Sequence, residues 1–342
     1  MMNGVLLHNN SRNCDSKERW YMVGEQMTLF RESESEWNNE SHKSKLSEWS
    51  YSRRGTLEQC ARKYYYEYYG SNLQKAKEDP QKKKLRFLKK LQNRHLRSGD
   101  ILHYVIRWYL KEFQQGKQPS LGQVLQWAKK DFRTDIKYSQ QYEHGSPLSD
   151  DFRHPKLLLE FYYGLPDVKS VCADTEERLV TALTNFITSQ NVAQFREGAR
   201  KASALIEESA RMKNDDFTLS GKVDLVYWED DRIVIVDWKI GGSGNSDDSL
   251  QMLAYALWAK QKFECPLDSI ILHKAHLEDN TVSTFNVSEK ALMRVEMRIL
   301  QDLDRMREAD KYGVRGVAET FTPCAQPKIC EMCQFQEICP KE

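Results

Sequence analysis

Two aspartates and a lysine carry the strongest chemical signal in the chain: Asp224 in Gly221-Lys222-Val223-Asp224, and Asp237 with Lys239 in Val236-Asp237-Trp238-Lys239. Runs rich in Val and Ile read as two strands, Phe217 to Trp228 and Arg232 to Lys239. Glu229, Asp230 and Asp231 lie between them, which is a hairpin connection. Side chains alternate along a strand, so Asp237 and Lys239 share one face while Val234, Val236 and Trp238 take the other. With Asp230-Asp231 as a two-residue loop, Glu229 faces Arg232 and Asp224 falls opposite Asp237; a three-residue loop shifts this pairing by one. Like charges facing each other across a hairpin repel. Opposed carboxylates beside an amine therefore suggest a divalent cation, Mg²⁺ or Mn²⁺, held by oxygen ligands. An isolated Asp-x-Lys is more often a solvated ion pair, and the neighbouring elements are what weigh against that reading.

Ile240 to Ser246 is a glycine-rich loop, but no Gly-Lys-Ser/Thr closes it as in a phosphate-binding P-loop. A helix is expected from Asp247 to Lys262, with Asp247, Asp248 and Ser249 suiting its N-terminus. Gln251 and Tyr255 are four apart on that helix, hence on one face, where they can line the same cleft as the acidic hairpin. Upstream, Gly99 to Phe113 reads as an apolar helix with Leu102, Ile106, Leu110 and Phe113 in register and His103 beside the stripe. A lone histidine in that setting is ordinarily a hydrogen-bonded core residue.

The series Gly221-x-x-Asp224, Asp237-x-Lys239 and Gln251-x-x-x-Tyr255, preceded by Gly99-Asp100-Ile101-Leu102-His103, resembles the RecB-like branch of the PD-(D/E)XK nuclease superfamily. The resemblance implies an α/β fold of the restriction-endonuclease-like kind, a mixed β-sheet core flanked by helices, with a large helical insertion. It implies a metal-dependent DNA nuclease, an exonuclease acting on single-stranded or end-containing DNA in repair, recombination or defence. It also implies that Asp224, Asp237, the main-chain carbonyl of Trp238 and His103 hold the Mg²⁺ or Mn²⁺. Lys239 would orient the attacking water or help deprotonate it, and Gln251 and Tyr255 would position water or the substrate strand. The family often carries a Glu on its first core strand, expected here near Leu205 to Met212, and Glu207 or Glu208 fits that place. Two rivals stand beside this reading: a catalytically silent DNA-binding or assembly subunit, and an RNA-directed nuclease.

Four of the eight cysteines, Cys324, Cys330, Cys333 and Cys339, fall in the last 19 residues. In a reducing compartment such clustering points to a bound metal or cluster. Cys330, Cys333 and Cys339 make C-x2-C-x5-C and need a fourth ligand. In AddB-type and CRISPR-associated relatives the fourth cysteine lies far upstream, a place that Cys60 matches, although Ala61 stands where the family usually has Pro. The local alternative is Cys324. By analogy with a disulfide, joining position 60 to the tail would stabilise the fold by roughly 4 to 5 kcal/mol, which favours Cys60. The resemblance implies a structural [4Fe–4S] cluster, with zinc as runner-up.

The remaining sequence sets the frame. With 342 residues, 40% hydrophobic content and a net charge of +1, any nucleic-acid footprint is local. The candidate is the basic run from Lys75 to Arg97, including Lys82, Lys83, Lys84, Arg86, Lys89 and Lys90, which suits phosphate-backbone contact. The tyrosines between Leu46 and Tyr69 are expected mainly to pack in the core. No apolar run approaches the roughly 18 residues of a membrane span, and Val5-Leu6-Leu7 is too short for a signal peptide. A soluble, cytoplasmic protein is expected, with no membrane contact and with a separate helicase or defence-system protein as partner. The organisation expected is a polar extension (1–45), a tyrosine-rich basic arm (46–98), the histidine helix (99–116), a helical insertion (117–202), the nuclease core (203–315) and the cysteine tail (316–342). Strands from Ser269 to His276 and Thr281 to Val287, then a helix from Ser288 to Tyr312, complete the core. His273 and His276 are expected as edge-strand residues and not ligands.

Overall fold

The computed structural model of the chain describes residues 19–23, 26–30, 48–71, 79–149, 154–241, 248–313 and 315–339. They divide between two units, Met1–Lys45 and Leu46–Glu342. In the first, β1 (Arg19–Val23) and β2 (Gln26–Phe30) pair antiparallel, with Arg19 opposite Phe30. Polar composition hides this hairpin in the sequence, where the stretch reads as an aperiodic extension. The loop from Gly242 to Asp247, and Lys75 and Lys77 of the basic run, lie outside the described residues.

The second unit opens with β3 (Glu48–Trp49) and α1 (Tyr51–Gln59), where the Ser50 hydroxyl caps the helix by accepting the Arg53 amide at 3.2 Å. Then α2 (Ala61–Tyr65) continues into a π-helical turn over Tyr66–Gly70. Tyr64, Tyr65 and Tyr66 are buried, and Tyr51, Tyr68 and Tyr69 pack against the same core, so the tyrosines of the arm are packing residues.

Three helices with side-chain caps follow the arm. Asp79 and Pro80 start α3 (Pro80–Lys89), and Asn93 starts α4 (Arg94–Gln114) by accepting the Leu96 amide at 2.8 Å. A capping box of Ser120 and Gln123 opens α5 (Leu121–Gln140). The short α6 (Leu159–Tyr162) leads to α7 (Val168–Thr188) and α8 (Ala193–Ala199).

The sheet is built from β4 (Leu205–Lys213), β5 (Thr218–Glu229) and β6 (Arg232–Lys239), then, after α9 (Asp248–Phe263), from β7 (Ile270–His276) and β8 (Thr281–Phe285). Its order is β3-β5-β6-β7-β8, with β4 also pairing β5. The β4–β5, β5–β6 and β7–β8 pairs are antiparallel, while β3–β5 and β6–β7 are parallel. After β8 come α10 (Glu289–Gly313), capped by Ser288, and α11 (Pro327–Glu331) in the tail. The strand β7 lies between β6 and β8, which corrects the edge placement expected for His273 and His276. His276 is buried there, with its ring nitrogens at Gly241 O and Ser283 Oγ, each 3.3 Å away.

Both faces of β6 are buried, and this decides the layering. Ile233 and Ile235 pack with Met252, Ala256 and Trp258 of α9 and with Ile299 and Leu303 of α10. Val234, Val236 and Trp238 pack on the other side with Ile101, Leu102 and Val105 of α4 and with Leu179, Leu183 and Phe186 of α7. The segment expected as a helical insertion supplies much of the second layer, within the unit Leu46–Glu342. The result is a six-stranded mixed sheet between helices, the fold class that the sequence implies.

Candidate active site

The β5–β6 hairpin has the two-residue loop: Glu229 pairs with Arg232 and Leu225 with Val236. One step further along the same register sets Asp224 opposite Asp237. Both are buried, at 4% and 1% exposure, which excludes a solvated strand face. The Asp224 carboxylate accepts the Trp238 amide at 2.9 Å, so the main chain of Trp238 borders the site as well.

His103 of α4 reaches across to this hairpin. Its Nδ1 lies 2.9 Å from Asp224 Oδ1 and 3.6 Å from Glu207 Oε1. His103, Glu207 and Asp224 bring one ligand atom each to within 4.8 Å of one another. Of the two candidate glutamates on β4, Glu207 therefore joins the site, while Glu208 pairs with Lys262 at 2.7 Å. Glu207 has φ of 58°, a left-handed conformation that a side chain other than glycine adopts at a cost of about 1–2 kcal/mol.

Asp237 stands beside this group in different company. Lys239 Nζ donates to its Oδ1 at 3.1 Å and lies 2.9 Å from Oδ2, although Oδ2 receives no directed hydrogen bond. Gln251 Nε2 bonds Asp237 Oδ1 at 3.3 Å and the Tyr255 hydroxyl at 3.0 Å, and that hydroxyl donates to Lys222 O at 2.8 Å. Gln251 and Tyr255 thus brace Asp237 against β5. Gly221 makes this possible, since a Cβ there would sit 3.1 Å from Tyr255 Cε1. Lys222, a residue that the family motif leaves without a role, pairs with Glu207. Its signal was present in the two-residue alternation that sets it on the same side as Asp224.

Three carboxylates, Asp224, Asp237 and Glu207, meet three basic groups, His103, Lys239 and Lys222. Burial works against the His103 imidazolium, but the charge of Asp224, the hydrogen bond to it and the nearby Glu207 carboxylate prevail and push its pKa up to about 10. Burial raises Asp224, and Asp237 adds to this against the pull of His103. Together Asp224 and His103 hold a proton at neutral pH. Burial would raise Glu207 too, yet the neighbouring His103 and the paired Lys222 outweigh it and keep the carboxyl below its usual range. Glu207 Oε1 and Asp237 Oδ2 remain buried without a hydrogen-bond partner. Carboxylate oxygens with one imidazole are a donor set that fits Mg²⁺ or Mn²⁺.

The Cys60 thiol begins α2, accepting the Lys63 amide at 3.3 Å. Burial raises Cys333 to about 11 and also raises Cys330 and Cys339, and Cys60 lies near enough to add to all three electrostatically. Cys324 adds to Cys330. Among the described residues no three cysteine sulphurs form a group within 4.8 Å of one another.

The basic run on α3 is largely engaged within the chain. Lys82 lies 3.6 Å from Asp79, and Lys84 bonds Tyr162 at 2.8 Å and Glu337 at 2.7 Å. Arg86 donates to Ser71 O at 3.2 Å, Lys89 to Glu67 O at 2.7 Å and Lys90 to Leu148 O at 2.9 Å. Lys83 is exposed.

A family model described as the PD-(D/E)XK nuclease superfamily matches residues 48–340. No curated protein compared with the chain matches it. Among solved structures, a protein from Eubacterium rectale named "Putative exonuclease" is similar at 12% identity, over 69% of this chain and 89% of that one, with a TM-score of 0.28. The protein SSO0001 is similar at 11% identity, over 53% of this chain and 78% of its own, with a TM-score of 0.22. Among the described residues no helix is long and apolar enough to cross a membrane.

Proposed function

The chain belongs to the PD-(D/E)XK nuclease superfamily, and from that we propose that it is a divalent-metal-dependent deoxyribonuclease of the RecB-like branch. Its substrate would be single-stranded DNA or DNA with an accessible end, presented as such or by a separate helicase or defence-system partner. The observation that carries the reading is the meeting of His103, Glu207 and Asp224 beside the Asp237–Lys239 pair.

Mg²⁺ or Mn²⁺ held by Asp224, Asp237, Glu207, His103 and the Trp238 carbonyl would neutralise the scissile phosphate and lower the pKa of water. Asp237 keeps its aim because Gln251 and Tyr255 brace it. Lys239, 2.9 Å from Asp237, is placed to orient the attacking water and to stabilise the negative charge that develops at phosphorus. Lys222 holds Glu207 in its strained conformation. Lys83, the exposed member of the run containing Lys82, Lys84, Arg86, Lys89 and Lys90, is the leading candidate there for contact with the DNA backbone.

Cys60, Cys330, Cys333 and Cys339 would hold a [4Fe–4S] cluster as a structural clip. The support for this choice is that Cys60 lies near enough to Cys330, Cys333 and Cys339 to act on each electrostatically, with zinc as the alternative occupant.

The test is incubation of end-labelled single-stranded DNA, double-stranded DNA and RNA with Mg²⁺ or Mn²⁺, using protein purified without oxygen. Cleavage of DNA that EDTA abolishes and that Asp237→Asn lacks is expected. Binding without cleavage would make the fold a silent DNA-binding subunit, and preferential cleavage of RNA would replace the substrate assignment.

A further inference from the structure

A cleft of about 250 Å³ opens directly beside the proposed catalytic groups. His103 and Lys239 line it, and so do His95 and Gly99 of α4 and Arg178 of α7. His95, Gly99 and His103 follow at four-residue steps and so share a helix face. Nothing lies within 4 Å of where a Cβ would stand on Gly99, which leaves this wall open.

Arg178 is fixed relative to Lys239 by a short chain of bonds. The Leu277 amide donates to Lys239 O at 2.9 Å and the Glu278 amide to Ile240 O at 2.8 Å. The Glu278 carboxylate then takes Arg178 Nε at 2.8 Å and Nη2 at 2.7 Å. A Cβ on Gly241 would meet Arg178 Nη2 at 2.9 Å, so the guanidinium lies against the end of the strand that carries Lys239. Glu278 occupies the Nε–Nη2 edge of the guanidinium, and Arg178 lines the cleft. A planar guanidinium held in place matches a phosphate better than a mobile ammonium does.

We propose that this cleft is a phosphate subsite, in which Arg178 holds a phosphate of the substrate strand next to the one being cut. The proposal rests on the nuclease reading above. The bound group is either an internal phosphodiester or a terminal phosphomonoester, and both present the same oxygens.

The experiment measures cleavage of two linear single-stranded oligonucleotides, one ending in a phosphate and one in a hydroxyl, over a salt series. Arg178→Ala is expected to raise KM about tenfold with little change in kcat, and to flatten the slope of log KM against log salt by about one. Arg178→Lys should restore the slope and part of the affinity, and Glu278→Gln should keep the slope. A loss confined to the phosphate-ended strand identifies the terminal monoester, and an equal loss on both identifies the internal diester. Unchanged KM and slope in Arg178→Ala overturn the subsite, as does a lowered melting temperature shared with Glu278→Gln and unaccompanied by a slope change. If the wild-type protein cleaves neither strand, the nuclease reading itself fails and takes the subsite with it.

Discussion

Glu207 shows how far single residues can be read. The sequence narrows the family glutamate to Glu207 or Glu208, and only a backbone conformation at φ 58° turns Glu207 toward His103. No spacing rule announces a positive φ on a glutamate. Asp224, Asp237 and Lys239 were legible because alternation and loop length set their faces. Glu207→Gln is expected to weaken Mn²⁺ binding by about 10–100-fold, the effect of disturbing one ligand or its support, while Glu208→Gln leaves it unchanged. Isothermal titration with Mn²⁺ reads both. The same titration carries a pH signature. His103, pushed up to about 10, must lose its proton to serve as a ligand, so binding releases protons. Affinity should therefore rise with pH up to about 10 and level off above it. Equal apparent heats in buffers of different ionisation enthalpy would contradict this.

At the scale of elements, β5, β6, α9 and α10 were legible to within a residue or two, because alternating apolar residues and caps such as Ser288 mark their ends. What the pattern hides is which helices share a layer. Trp238 reads as a strand residue opposite the acidic face, but nothing local says that it packs on Phe186, 5.5 Å away between ring centres. Trp238→Ala should cost about 3–5 kcal/mol, seen as a lower denaturant midpoint together with weaker metal binding through the neighbouring amide. Gly198 is a second such contact: a Cβ there would stand 2.5 Å from the Tyr227 ring. Gly198→Ala is expected to cost about 1–3 kcal/mol by overpacking the α8–β5 contact. An unchanged midpoint would show that Tyr227 moves aside freely.

For the molecule as a whole, long-range closure matters more than any local pattern. The arm is tied to the end of the chain by the Trp49–Asp302 bond at 3.2 Å and the Arg53–Asp310 pair at 3.2 Å, and Arg62 donates to Phe321 O at 2.6 Å. Spacing alone left Cys60 and Cys324 as alternatives for the fourth cysteine, since closure of the arm on the tail is a tertiary event. Cys60→Ala is expected to lower stability by up to roughly 4 to 5 kcal/mol in anaerobically purified protein and to bleach its visible absorbance. Cys324→Ala should do neither. The central claim is that Asp237 and Lys239 act on a phosphodiester as one unit with the bound cation. Single-turnover cleavage of end-labelled single-stranded DNA by Lys239→Ala, its fold confirmed by circular dichroism, tests this most directly. A loss of about 10²-fold or more is predicted, and cleavage at the wild-type rate by the folded variant would contradict the account.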